Sequence, residues 1–189
     1  MLDSIVNECL AVGVTVRFES SEFVEVEGSP CSGYFDDEAK LLVVATGNPE
    51  WMFILYHEYS HFRQWSKSSP VWEDYKKQSD IDVFKWLDGE EYQEEEIYKA
   101  IDAVMLVEHD CEKRVINLLK SVGYNSSVIE EYSQKANAYV LFYHQVKATR
   151  KWYATDAVPY KTESIWRNMP KVLVENPLSE DSIKLVRGG

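Results

Sequence analysis

The order of periodicities along this chain predicts an α+β fold, with a small N-terminal β-sheet packed on one helix and a mainly helical C-terminal half. Two observations carry the prediction. From Val14 to Pro49 the chain is made of short alternating or β-branched stretches, separated by Gly28, Pro30, Gly33 and the Gly47-Asn48-Pro49 turn. Beyond Pro49 apolar residues recur at spacings of three and four, the period of a helix with one buried face.

Taken in order, Ile5, Cys9, Leu10 and Val12 define a short first helix ended by Gly13. Val14 to Phe18 and Phe23 to Val26 alternate and are rich in β-branched side chains, so each reads as a strand. Tyr34 to Glu38 is a strand running into a hairpin turn, and Leu41 to Ala45 is a further strand. That last strand precedes the next helix by only a short turn, which is compatible with Leu42, Val43 and Val44 lying at an edge of the sheet, where an extended peptide could pair with them. Its near-continuous apolar run would also suit a central strand.

Pro49 stands where a helix can begin, and that helix is expected to reach about Trp65. Residues 66–96 break the pattern and read as an acidic insert, helical in parts, with Trp72, Tyr75, Phe84, Trp86 and Tyr92 scattered through it. The stripe Ile97, Ile101, Val104, Cys111, Val115, Leu118 and Val122 then marks a long helix closed by Gly123. Another helix is expected from about Val128 to Tyr153, and the tail beyond Pro159 should be irregular, with Pro170 and Pro177 as breakers. Without an internal repeat, residues 1–189 read as a single domain.

Composition excludes several classes of function. A formal charge of -12 opposes sequence-independent binding to nucleic acid or to an anionic membrane, because phosphates would be repelled. No apolar run reaches the ~20 residues of a membrane span and no secretory signal opens the sequence, so the expectation is a soluble, cytoplasmic protein. Cys9, Cys31 and Cys111 show no C-x-x-C spacing, which argues against both a disulfide framework and a cysteine-based zinc knuckle.

Chemistry concentrates in Tyr56-His57-Glu58-Tyr59-Ser60-His61-Phe62, an H-E-x-x-H run inside the first long helix. Residues four apart share a helix face, so His57 and His61 can hold one Zn²⁺ while Glu58, one residue round, reaches the water beside it. The lead-in Trp51 to Leu55 is apolar on most sides, and a buried Glu58 with no role would be costly. Tetrahedral catalytic zinc takes three protein ligands, so a third is required. Glu108 sits within the apolar stripe of the long helix, where a bare charge is expensive unless paired or metal-bound; His109 and Glu112 are the alternatives.

An H-E-x-x-H helix followed by a helix bearing Glu108-His109-Asp110-Cys111-Glu112 resembles the gluzincin arrangement of zinc metallopeptidases. The resemblance implies Glu108 as zinc ligand, and Glu112 as the carboxylate that hydrogen-bonds a ligand histidine and fixes its tautomer. Ser32 to Asp36 and Lys40 to Val44, leading into the motif helix, are also similar to compact ImmA/IrrE-type metallopeptidases, which implies a zincin-like, minimal gluzincin fold over roughly residues 1 to 122. Regulators of transcription are frequent targets in that family. Glu112 where Asp or Asn is usual, the length of the 66–96 insert and the chain beyond Gly123 depart from the pattern.

The expected activity is therefore zinc-dependent peptide hydrolysis, with Glu58 as general base and a protein or peptide as substrate. Tyr153, Tyr160 and His144 are candidates for the group that stabilises the oxyanion. The competing expectation is a zinc-binding protein-interaction module without turnover.

Overall fold

A computed structural model describes residues 1–26, 28–153 and 157–187. The chain is α+β and divides into two compact units, Met1–Ser69 and Pro70–Gly189.

The first unit begins with α1 (Leu2–Ala11), which buries Ile5 and Cys9 and turns at Gly13 with φ 83°. Among the described residues, five short strands follow: β1 (Thr15–Glu19), β2 (Val24–Val26), β3 (Ser29–Cys31), β4 (Gly33–Asp36) and β5 (Leu41–Ala45). They form a three-stranded sheet in the order β1-β5-β4 and an antiparallel β2-β3 pair. The turn residues Gly28 and Pro30 thus flank or enter a strand, β3, that alternation alone does not reveal in three residues.

The sheet corrects the placement of Leu42, Val43 and Val44 at an edge. β5 is the central strand, parallel to β1 and antiparallel to β4. The physical reason is burial on both faces: Leu42 and Val44 are fully buried, and Val43 and Ala45 pack with Val24, Cys31 and Tyr34 on the other side. A strand covered on both faces needs an unbroken apolar run, and Leu41 to Ala45 supplies one. The edges of this sheet are β1 and β4.

Helix α2 (Trp51–Ser66) lies on the sheet through contacts with β4 and β5. Aromatic edges make the fit, Phe18 against Trp51 at 6.3 Å and Phe35 against Phe62 at 6.0 Å between ring centroids. Gly33 makes the close approach possible, since a Cβ there would come within 2.7 Å of Ile54 Cγ2 and 2.9 Å of the Val43 carbonyl oxygen. Tyr59 ties α2 to α1 by donating its hydroxyl to Glu8 at 2.5 Å, and burial together with that bond pushes its pKa up to about 12.

The second unit is helical: α3 (Pro70–Lys76), α4 (Val83–Leu87), α5 (Glu94–Val122), α6 (Ser126–Thr149), α7 (Glu163–Trp166) and α8 (Glu180–Arg187). α5 starts with Glu94, Glu95 and Glu96 in its first turn, where the helix dipole favours negative charge, and ends at Gly123 in the left-handed conformation. α6 is opened by the Asn125 side chain, which accepts from the Val128 N–H. Its core joins Ile97, Ile101 and Met105 of α5 to Val140, Tyr143 and Val146 of α6, with Val83 and Trp86 of α4 packed in.

Much of the tail is held as a strap by polar side chains of α6. Gln134 donates to the carbonyls of Arg167 and Met169, Asn137 to those of Pro170 and Val172, and Gln145 to that of Val186. Asn137 also accepts from the Val174 N–H, so one fully buried amide satisfies three backbone groups. Helix α8 lies inside the stretch that the sequence reads as irregular.

Candidate functional site

The motif helix sets its two histidines on one face, as their spacing of four requires. His57 and His61, one turn apart on α2, bring their Nε2 atoms to 3.1 Å. Gln64, three residues further on the same stripe and fully buried, sets Oε1 2.8 Å from His61 Nδ1. With a carbonyl-type oxygen against it, Nδ1 carries the proton and donates to Gln64, which leaves a lone pair on His61 Nε2 facing His57.

Two imidazole nitrogens 3.1 Å apart can both reach one ion bound at about 2.0–2.1 Å from each. Donor type, separation and the His61 tautomer are compatible with a divalent transition-metal ion.

Glu58 is 8 % exposed and lies on the sheet side of the helix, its Cγ 3.3 Å from where a Gly33 Cβ would stand. Cys31 shares this neighbourhood. Burial raises its thiol pKa, the Glu58 charge raises it further, and the Gly33 N–H opposes both. β4 is thus the edge strand beside Glu58.

The second unit holds the remaining candidates. Glu108 is half-buried on α5, near the phenols of Tyr139 and Tyr143, whose pKa values are raised first by burial and next by the Glu108 charge. Tyr153 is raised in the same way, by burial and then by Tyr160, with a smaller contribution from Glu108. Its ring meets Tyr160 at 6.3 Å and Phe142 at 5.2 Å. Glu112 is buried and accepts from the Tyr132 hydroxyl at 2.6 Å.

No family model, curated protein or solved structure matches the chain.

The two other histidines serve the fold. His109 Nε2 donates to the Val174 carbonyl at 2.6 Å, and burial lowers its pKa, so the neutral ring acts as a clasp on the tail. His144 Nε2 donates to the Pro177 carbonyl at 2.8 Å, a comparable clasp further along. Among the described residues of the first unit, Gln64 and Cys31 are two neighbours of the motif that sequence reading misses. Gln64 leaves a trace, because a polar side chain at i+7 from His57 and i+3 from His61 falls on the same helix face. Cys31 leaves none, because only the pairing of β3 and the approach at Gly33 bring it near Glu58.

Proposed function

We propose that this chain is a zinc-dependent peptidase in which His57 and His61 hold the metal, Glu108 completes the ligand set and Glu58 is the general base. The observation that carries the reading is the His57–His61 pair, 3.1 Å apart on one helix face with the His61 tautomer set by Gln64 and a buried carboxylate one residue away. Glu108 enters on the sequence pattern alone, as the charged residue within the apolar stripe of α5.

Zinc bound there would supply a Lewis acid that polarises the scissile carbonyl and acidifies water. Glu58, acceptor-only when ionised, takes the proton of the attacking water and passes it to the departing amine. Gln64 keeps His61 from presenting a protonated Nε2. An extended peptide is taken to add along β4, the edge strand nearest Glu58, where main-chain hydrogen bonds would lay the substrate backbone beside the carboxylate.

Glu58→Gln separates turnover from binding, since the amide keeps the shape and loses the base. The purified variant should retain zinc and lose hydrolysis of a casein or peptide-library substrate by a factor on the order of 10² or more. Equal activity in parent and variant would remove Glu58 from the chemistry. Zinc binding with no hydrolysis by either protein would favour a zinc-binding interaction module.

A further inference from the structure

The second unit carries a groove that the peptidase reading does not use. It has a volume of about 350 Å³ and is lined by Lys113, Ile116 and Lys120 of α5, Ile129 of α6, and Lys171 and Val172 of the tail. Spacings of three and four place 113, 116 and 120 on one face of α5. The groove is apolar below and basic at its rim. Ile116 is buried, whereas Val172 is 74 % exposed, the most exposed large hydrophobic side chain among the described residues.

In a chain of formal charge -12, three lysines around one groove with a single lining carboxylate is a local reversal of sign. That carboxylate, Glu130, pairs with Lys171 at 2.9 Å in a solvent-exposed contact worth little and easily exchanged. Solubility does not require such a reversal, because the excess acidic charge already provides it.

One wall of the groove is built in advance. Asn137 holds the carbonyls of Pro170 and Val172 and the N–H of Val174, and His109 holds the carbonyl of Val174. A ligand settling against residues 171–173 therefore does not have to order them first.

We propose that this groove docks a peptide segment of a partner protein that combines carboxylates with apolar anchors. The carboxylates meet Lys113, Lys120 and Lys171, and the anchors cover Val172 and reach the floor at Ile116 and Ile129. Charge complementarity selects this occupant. A nucleic acid would offer the same negative charge, but its phosphate backbone extends well past the groove, over the acidic remainder of the chain, where it is repelled. The proposal does not rest on the peptidase reading, and its test reads binding without turnover.

The probe is a fluorescent synthetic peptide alternating Glu and Leu, followed by anisotropy against full-length protein. Lys-Leu and Glu-Ser versions serve as comparators. Binding of the Glu-Leu peptide should weaken with added salt and exceed that of either comparator. Lys113→Glu and Lys120→Glu should each weaken it about tenfold, since a reversal exchanges an attraction for a repulsion. Both lysines are exposed, so unchanged circular dichroism and melting would show these variants folded. Equal binding of the Lys-Leu peptide, or unchanged affinity in both variants, overturns the proposal. So does a dimer in sedimentation velocity that Lys120→Glu abolishes, because the occupant is then a second copy of the chain.

Discussion

Replacing Gln64 by Leu removes one hydrogen-bond acceptor from a fully buried position and leaves a side chain of similar size. The lost contact is the 2.8 Å bond from His61 Nδ1, worth about 0.5–1.5 kcal/mol as a net contribution to folding. The larger consequence falls on the tautomer. Once Nδ1 has no acceptor, His61 can carry its proton on Nε2, the nitrogen that faces His57, and each ion bound must first displace it. Loss of a partner that orients a ligand histidine costs about 10- to 100-fold in metal affinity. Gln64→Leu should therefore weaken zinc binding by that factor in competition with a chromophoric chelator at neutral pH. Gln64→Glu, which still accepts from Nδ1, should bind at least as tightly as the parent. A Gln64→Leu protein that melts lower but holds zinc within about twofold of the parent would show that the amide only packs, refuting the tautomer argument.

Two further predictions concern the first unit. Gly33→Ala puts a Cβ 2.7 Å from Ile54 Cγ2 and 2.9 Å from the Val43 carbonyl oxygen, and the backbone oxygen cannot step aside. Overpacking of this kind costs about 1–3 kcal/mol, so thermal unfolding should come several degrees earlier, and an unchanged melting curve would contradict the close approach of α2 to β4. Cys9 is fully buried, and burial followed by the Glu8 charge pushes its pKa from 9.0 up to about 12. Because the folded value lies above the ordinary one, the stability gained by keeping Cys9 a thiol is complete below about 9 and is lost as pH rises towards 12. Iodoacetamide at pH 9 should leave Cys9 unmodified in the folded chain and label it in urea, as mass spectrometry of tryptic peptides would show; rapid labelling of the folded chain would place Cys9 in contact with solvent.

What the sequence disclosed follows the range of the forces involved. The α2 and α5 helices are legible because their apolar stripes and end signals are local: Pro49 lies just before α2 and Gly123 closes α5 in the left-handed conformation. The run Leu41 to Ala45 declares a strand but not its place in the sheet, since only its partners, β1 from before it and β4 beside it, decide between edge and centre. The acidic stretch read as an insert hides Val83 and Trp86, whose burial against α5 and α6 depends on distant residues. The tail keeps its path through Gln134, Asn137 and Gln145, which look like ordinary solvent-facing polar residues in a helix until their backbone partners are known, and through His144, an oxyanion candidate by sequence that donates to the Pro177 carbonyl. At the motif, the pair His57 and His61 is fixed by helical geometry, whereas the proton that decides how His61 can bind is fixed by Gln64.

Metal content tests the central claim most directly. The purified full-length chain, incubated with excess zinc sulfate and desalted, should carry one zinc per chain by inductively coupled plasma mass spectrometry, and His57→Ala and His61→Ala should each lose it while keeping the parent's circular dichroism. A parent chain that retains no near-stoichiometric zinc, or histidine variants that hold as much as the parent, would contradict the account.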